Sequence, residues 1–199
     1  MEVSVIACRG VTGETRIYPV GKNTHVNNIL DETYVPAPVS KDVVKSSVDI
    51  ADRVMRAFSG VGIFCVEMFI MDNDKIMVNE VAPRPHNSGH YTIEACVTSQ
   101  FENHIRAVMG LPLGDCSLIR PAVMRNILGE ENANGKAYVL GYEKALEILG
   151  AKLHIYGKTM VKPRRKMGHI TVTADNVQTA AKLCDEAKKS LKIVSAEVL

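Results

Sequence analysis

Two glutamates, Glu67 and Glu80, carry the strongest prediction of chemistry in this chain. They lie in two β-prone runs, residues 63–70 and 75–80, that flank a turn-rich segment, and this pattern predicts a β-hairpin. A loop of either two or four residues gives the same register, in which the two glutamates face each other. Directly opposed residues have Cβ atoms about 4.5–5.5 Å apart, and like charges at that distance destabilise the pair.

A divalent cation would relieve the repulsion between these carboxylates. Carboxylate and amide oxygens are hard ligands of the kind that Mg²⁺ takes from proteins, and nucleotide phosphates and water complete its shell. Either Asn79 or Asn87 is predicted to supply the amide oxygen. The alternative is a solvent-exposed hairpin face that binds no metal, which two glutamates alone would favour. The polar residues that follow Glu80 shift the prediction toward a metal site.

The segment after Glu80 has the groups needed to bind a small oxyanion. Pro83 and Pro85 restrict the backbone around Arg84, and a restricted side chain loses less entropy when it binds a ligand. Arg84 offers a planar fork of donors, and His86 and Asn87 add further donors. A carboxylate, bicarbonate or phosphate is the predicted guest. The alternative is a loop stiffened by proline and held by its own hydrogen bonds.

A second anion site is predicted around Lys158 and Arg165, where a point charge and a fork could hold a phosphate. Gly157 and Gly168 flank this stretch and allow close backbone approach. The alternatives are a solvated basic loop and a nucleic-acid patch. Single-strand binders usually present several stacking rings, whereas this stretch has only Tyr156, so a small phosphorylated metabolite is favoured.

The composition limits the class of protein. A chain of 199 residues with 46% hydrophobic residues predicts one large domain or two small ones. The formal charge of +2 argues against a nucleic-acid partner. No apolar run approaches the roughly 18 residues of a membrane span, and no leader-like segment is visible. Five widely spaced cysteines without a Cys-x-x-Cys pair predict a cytoplasmic protein rather than a disulfide framework or a zinc site.

Periodicity and capping signals predict alternating strands and helices. Before residue 112 the predictions are a hairpin at 3–8 and 15–20 and two helices. The first helix runs over 41–59 and is ended by Gly60, and its apolar stripe comprises Val44, Val48, Ala51, Met55 and Phe58. The second helix begins at a Ser99–Glu102 capping box, and its stripe comprises Phe101, Ile105 and Val108. Beyond residue 118 they are strands at 122–128, 152–156 and 169–173 and helices at 142–149 and 175–191, the last capped by Asp175 and Gln178.

Several stretches together resemble a known family, the ATP-grasp enzymes of purine biosynthesis and specifically the PurK-type ATPase component of phosphoribosylaminoimidazole carboxylase. The matching residues are 66–69, the long run 78–92 that contains Ala-Pro-Arg-Pro-His-Asn-Ser-Gly-His, and 98–102, 110–114, 156–158 and 165–169. Weaker similarity extends from Glu2 almost to the C-terminus. The resemblance implies an α+β fold: the C-terminal half of an ATP-grasp enzyme, mostly an antiparallel sheet with flanking helices, plus a small α/β extension.

The resemblance also implies a reaction. ATP would phosphorylate bicarbonate to carboxyphosphate, and the carboxyl group would pass to the amine of aminoimidazole ribonucleotide. Carried over residue by residue, Glu67 and Glu80 would hold Mg²⁺ and, with Asn79, the ATP phosphates. The bicarbonate and carboxyphosphate site would comprise Arg84, His86 and Asn87, and the clamp on the ribonucleotide phosphate would comprise Lys158 and Arg165.

The predicted domains are 1–116, the third domain of an ATP-grasp enzyme, and 117–199, the extension. Because the chain begins about where that third domain begins, we expect a truncated product or one half of a split enzyme that needs an N-terminal ATP-grasp partner; a homodimer is a further candidate. Two alternatives stay open: a non-catalytic remnant that binds a phosphorylated ligand or a partner, and a ligase for another purine intermediate. Retention of both glutamates favours the carboxylating ligase.

Overall fold

A computed structural model of the chain describes residues 1–196. The chain divides into two compact units between Pro121 and Ala122. This division lies a few residues beyond the boundary predicted at residue 117. The assignment of a catalytic role to one domain and an accessory role to the other stays a prediction.

The first unit is built on antiparallel strands with helices against them. Its strands are β1 (Glu2–Arg9), β2 (Thr15–Ile17), β3 (Gly21–Val26), β4 (Ile29–Val35), β5 (Gly62–Ile70) and β6 (Ile76–Ala82), and its helices are α1 (Lys41–Phe58), α2 (Thr92–Ala95) and α3 (Gln100–Val108). Within the unit the strands lie in the order β6-β5-β1-β3-β4, and β2 also pairs with β1. The predicted mostly antiparallel α+β architecture is confirmed.

The second unit contains two small groups of antiparallel strands and two helices. Its elements are β7 (Ala122–Leu128), β8 (Gly135–Leu140), α4 (Tyr142–Leu146), β9 (Ala151–Ile155), β10 (Met160–Val161), β11 (Lys166–Thr173), α5 (Val177–Ser190) and β12 (Lys192–Ser195). One group has the order β7-β11-β9 and the other β10-β8-β12. The strand prediction at 122–128 is confirmed, whereas β8, β10 and β12 were not predicted.

Strand β5 separates the core from the candidate site. Val66 and Met68 point to one face, where they pack with Ala51 of α1 and with the buried valines of β1. Helix α1 buries the row Val43, Ser47, Ala51 and Met55. The predicted stripe is wrong at Phe58: it lies on the same face as Ala51, two turns further on, but it is the last residue of α1 and is exposed. The helix also ends at Phe58, one residue earlier than predicted, since Ser59 takes the left-handed conformation with φ 51°.

Helix α3 has the opposite arrangement from the predicted one. Phe101, Ile105 and Val108 are exposed, and the buried residues are instead Gln100, Asn103 and Ala107. The prediction fails because periodicity assumes that apolar residues face inward, whereas here buried amides bind neighbouring polar groups. The Ser99 cap is confirmed, since its hydroxyl accepts from Glu102 N at 3.1 Å.

Two further local features differ from the prediction. The β3–β4 hairpin was missed, although Asn27 and Asn28 form its two-residue turn with φ 51° and 60°, as Asn readily does in such turns. Helix α5 is capped by Asn176, whose side chain accepts from Thr179 N at 2.8 Å, rather than by Asp175 and Gln178.

All five cysteines are free and buried, which agrees with the expected absence of disulfides. Among residues 1–196, no helix is both long and apolar enough to cross a membrane.

The buried Asn103 is expected to be a major source of stability. Its side chain accepts from Gly114 N at 2.7 Å and donates to Tyr18 Oη at 2.8 Å. Asn103→Ala leaves these buried groups unpaired, so we expect the free energy of unfolding to fall by about 2–4 kcal/mol in urea titrations. Ile105→Ala, on the exposed side of the same helix, should change it by less than about 0.5 kcal/mol. Similar losses for both variants would contradict this account.

Candidate active site

The predicted pairing of Glu67 with Glu80 is confirmed, but the predicted register is wrong near the turn. Met68 pairs with Val78, so Asn79 is an extra residue, a β-bulge in β6. The loop between the strands is residues 71–75, and its odd length shifts the register by one. The bulge reverses this shift and restores Glu80 to the position opposite Glu67.

The carboxylate of Glu67 is held from one side. Its side chain is 12% exposed, whereas Glu80 is exposed to solvent. Ser88 Oγ donates to Glu67 Oε1 at 3.3 Å, and His86 Nδ1 lies 3.6 Å from the same oxygen. One carboxylate is therefore oriented by the protein and the other remains accessible to a ligand.

A buried polar network supports Ser88 in turn. Asn23 Nδ2 donates to Ser88 Oγ at 3.4 Å, and Asn23 Oδ1 accepts from Thr33 Oγ1 at 3.0 Å and from Ser4 Oγ at 3.4 Å. These four side chains come from β1, β3, β4 and the 3₁₀ turn Asn87–Gly89. The sequence-based reasoning missed them because it did not predict β3 and β4.

The loop that contains His86 is fixed by the side chain of Gln100. Gln100 Oε1 accepts from His86 N at 3.0 Å, and its Nε2 donates to His86 O at 2.7 Å and lies 3.1 Å from His90 Nδ1. Gly89 lies directly against this amide, since a Cβ there would be 2.7 Å from Oε1. The predicted anion loop is thus anchored through its backbone to a fully buried amide.

The predicted oxyanion ligands differ in exposure. Arg84 is exposed and donates to the neighbouring carbonyl of Pro85 at 3.2 Å. His86 and Asn87 are half-buried, and Asn87 begins the 3₁₀ turn. The structure brings His86 to Glu67, whereas the binding role of all three residues stays a prediction.

An apolar pair lies beside the carboxylate pair and was also missed. Phe69 follows Glu67 by two residues and shares its face of β5, and its cross-strand partner is Met77. Phe69 is 40% exposed and Met77 is 49% exposed. A flat apolar ligand could lie on this pair while its polar part reaches the carboxylates.

Cys65 lies on the same face as Glu67, at its buried end. Its Sγ, a carboxylate oxygen of Glu67 and a ring nitrogen of His86 lie within 4.8 Å of one another. Burial, followed by the negative charge of Glu67, raises the pKa of the Cys65 thiol well above its usual value.

Lys158 and Arg165 belong to the second unit and lie on either side of β10. Lys158 Nζ donates to Lys166 O at 2.6 Å, and an Arg165 guanidinium nitrogen donates to Met160 O at 2.8 Å. Each keeps further donors for a ligand. Gly157 is needed for its φ of 68°, whereas Gly168 allows β11 to approach His154 O, so only the former shapes the loop.

Family comparisons define the class of this protein. Residues 1–101 match the model of the ATP-grasp domain. Residues 122–183 match the model of the phosphoribosylaminoimidazole carboxylase C-terminal domain. The first match contains the paired Glu67 and Glu80, and the second lies within the second unit.

Three relatives indicate which enzymes of this class the chain resembles. The N5-carboxyaminoimidazole ribonucleotide synthase of Bacillus subtilis is 49% identical over 86% of this chain and 43% of that protein. The crystal structure of the N5-carboxyaminoimidazole ribonucleotide synthetase from Thermotoga maritima has a TM-score of 0.91 at 50% identity, over 98% of this chain and 52% of that one. The crystal structure of the N5-carboxyaminoimidazole synthase from Aspergillus clavatus, in complex with ADP and 5-aminoimidazole ribonucleotide, has a TM-score of 0.85 at 37% identity, over 95% of this chain and 51% of that one.

The chain therefore belongs to the ATP-grasp family, in its PurK-type branch. It spans about half the length of the relatives it matches.

The anchoring of the loop by Gln100 can be tested by stability. Gln100→Leu leaves the backbone groups of His86 unpaired, and Gly89→Ala displaces the amide, so each should lower the free energy of unfolding by about 2–3 kcal/mol. Because both act on one contact, the double variant should lose less than the sum. Gln178→Leu, on an exposed position of α5, is the control and should change little. Fully additive losses in urea titrations would contradict a shared contact.

Proposed function

We propose that this chain supplies the C-terminal half of the active site of an ATP-dependent carbon–nitrogen ligase. The enzyme would carboxylate aminoimidazole ribonucleotide with bicarbonate, through carboxyphosphate, in purine biosynthesis. The direct pairing of Glu67 with Glu80 carries this proposal, because a sheet keeps two opposed carboxylates at a cost in stability. The ADP and ribonucleotide named for the Aspergillus clavatus relative support it.

The residues present fit a Mg²⁺ ion. Two carboxylates of adjacent strands offer hard oxygen ligands, and the bulge places Asn79 next to Glu80. Ser88 orients Glu67 so that its carboxylate is preorganised. Bound Mg²⁺ would neutralise the charge on the phosphate oxygens of ATP during phosphoryl transfer.

The neighbouring residues would position the other reactants. Arg84, with its exposed fork of donors, would bind bicarbonate together with His86 and Asn87. Gln100 fixes the backbone of that loop, so these donors would need little reorganisation when charge develops on the bicarbonate oxygens.

The apolar pair Phe69 and Met77 would support the adenine ring, since it lies on the strands that carry the carboxylates. Lys158 and Arg165 would bind the ribonucleotide phosphate as a point charge and a fork. Nearby, burial raises the pKa of Tyr156 to about 12, so its hydroxyl stays neutral and does not repel an anion at physiological pH.

The proposal also includes binding partners and a cellular compartment. The chain would act with an N-terminal ATP-grasp half, and a homodimer is the proposed assembly. The five free cysteines favour a reducing compartment, and we propose the cytoplasm.

The metal site predicts a response of stability to Mg²⁺. In chelator, Glu80→Gln removes the like-charge pair, so it should raise the free energy of unfolding by up to about 1 kcal/mol. Mg²⁺ at ten times its Kd should stabilise the unaltered chain by about 1.4 kcal/mol but leave the Glu67→Gln/Glu80→Gln variant unchanged. Asp72→Asn, an exposed carboxylate on the same hairpin, is the control. Equal stabilisation of the double variant in thermal or urea unfolding would contradict the site.

The phosphate clamp predicts a selective loss of ribonucleotide affinity. In calorimetric titrations of aminoimidazole ribonucleotide, Lys158→Met and Arg165→Met should each weaken binding by about 10- to 100-fold, because a hydrogen bond to a charged group is lost. Lys152→Met, an exposed lysine of β9, should bind as the unaltered chain does. The ribonucleoside without phosphate should bind weakly and equally to all four proteins. A matching loss for the ribonucleoside, or no binding by the unaltered chain, would contradict the assignment.

A further inference from the structure

The face of β5 that carries Glu67 holds a second set of metal-binding atoms. Cys65 Sγ, a Glu67 carboxylate oxygen and a His86 ring nitrogen all lie within 4.8 Å of one another. A thiol, a carboxylate and an imidazole are the side chains that bind Zn²⁺ and similar cations. The sequence-based reasoning excluded zinc because it looked for Cys-x-x-Cys spacing, and this set is assembled across a strand and a loop.

The distances fit a tetrahedral cation. Bonds of about 2.0–2.3 Å from Zn²⁺ to N, O and S place neighbouring ligand atoms about 3.3–3.8 Å apart. The Glu67 Oε1 to His86 Nδ1 distance is 3.6 Å, within this range. Because the sulfur lies within 4.8 Å of both other atoms, small side-chain rotations are enough to bring it into the same range.

The environment of the three atoms also fits a bound cation. Ser88 N donates to His86 Nδ1 at 3.4 Å, so Nδ1 carries no proton in this geometry, and a cation bound there would replace this long hydrogen bond. Ser88 Oγ holds the carboxylate of Glu67 by a hydrogen bond. The hydrogen bonds between the Gln100 side chain and the backbone of His86 hold the residue that carries the ring. Cys65 closes the inner end of the set and is fully buried, while Glu67 and His86 remain partly exposed, which leaves an entry path for an ion.

We propose that Cys65, Glu67 and His86 form a site for a thiolate-seeking divalent cation, Zn²⁺ or Co²⁺. The site does not depend on the proposed ligase reaction. It uses Glu67 but neither Glu80 nor Asn79, so its ligand set differs from the one proposed for Mg²⁺. If that reaction is correct, a cation held here would compete with Mg²⁺ for Glu67.

The test is a Co²⁺ titration of the full 199-residue chain, reduced and freed of metal, followed by absorption spectroscopy. One equivalent should give the charge-transfer band of a cobalt–thiolate bond. Zn²⁺ should remove the band stoichiometrically, and a large excess of Mg²⁺ should not. Cys65→Ser should abolish the band, and His86→Ala should weaken Co²⁺ binding at least about tenfold.

Two controls keep the outcome specific. Cys8→Ser changes an equally buried cysteine on the neighbouring strand and can keep the hydrogen bond to Asn103 O, so the band should persist. Glu80→Gln should also keep the band while losing the Mg²⁺ response, which separates this inference from the proposed function.

Some results would overturn the proposal. A band that survives in Cys65→Ser, or Co²⁺ binding without a thiolate band, would place the cation elsewhere. If Cys65→Ser does not fold, X-ray absorption of the Zn²⁺-loaded unaltered chain decides: one sulfur at about 2.3 Å supports the site, and a shell of nitrogen and oxygen alone refutes it.

Discussion

The opposition of Glu67 and Glu80 is the constraint around which the first unit is arranged. Two like charges in register lower the stability of a hairpin, so the sheet must impose the register by other means. Strand β5 does so with a buried core face, where Val66 and Met68 pack against α1. The bulge at Asn79 corrects the register after an odd-length turn. Without that extra residue, a one-residue slip would turn Glu80 to the other face.

The division of β5 into two faces explains how fold and site coexist on one strand. Alternate residues build the apolar core, and the others present Cys65, Glu67 and Phe69 on the opposite side. The polar residues there are held by buried polar side chains. Asn23 and Gln100 instead satisfy hydroxyl and backbone groups within hydrogen-bond distance. The site is therefore stabilised by hydrogen bonds, and the core by apolar contact.

Sequence-based reasoning predicted the parts that depend on local signals. The paired glutamates, the Ser99 cap and the antiparallel architecture follow from turn residues, capping chemistry and β-propensity. It failed where burial is decided by distant partners. The stripe of α3 was assigned to the wrong side because nothing local shows that Asn103 meets Tyr18, far away in the chain. The hydrogen bond from Asn23 to Ser88 was missed for the same reason. The Asn27–Asn28 pair could nevertheless have predicted the hairpin that carries Asn23.

Glu67 belongs to two sets of candidate metal ligands, and this position has a chemical consequence. Across the strands from it lies the carboxylate of Glu80, which would suit a hard cation, and within 4.8 Å of it lie the thiol of Cys65 and the imidazole of His86, which would suit a softer one. Ser88 holds the shared carboxylate between them. Under the two proposals, the cation that binds would depend on which neighbours Glu67 joins. Ser88 would act on that choice without being a ligand in either set.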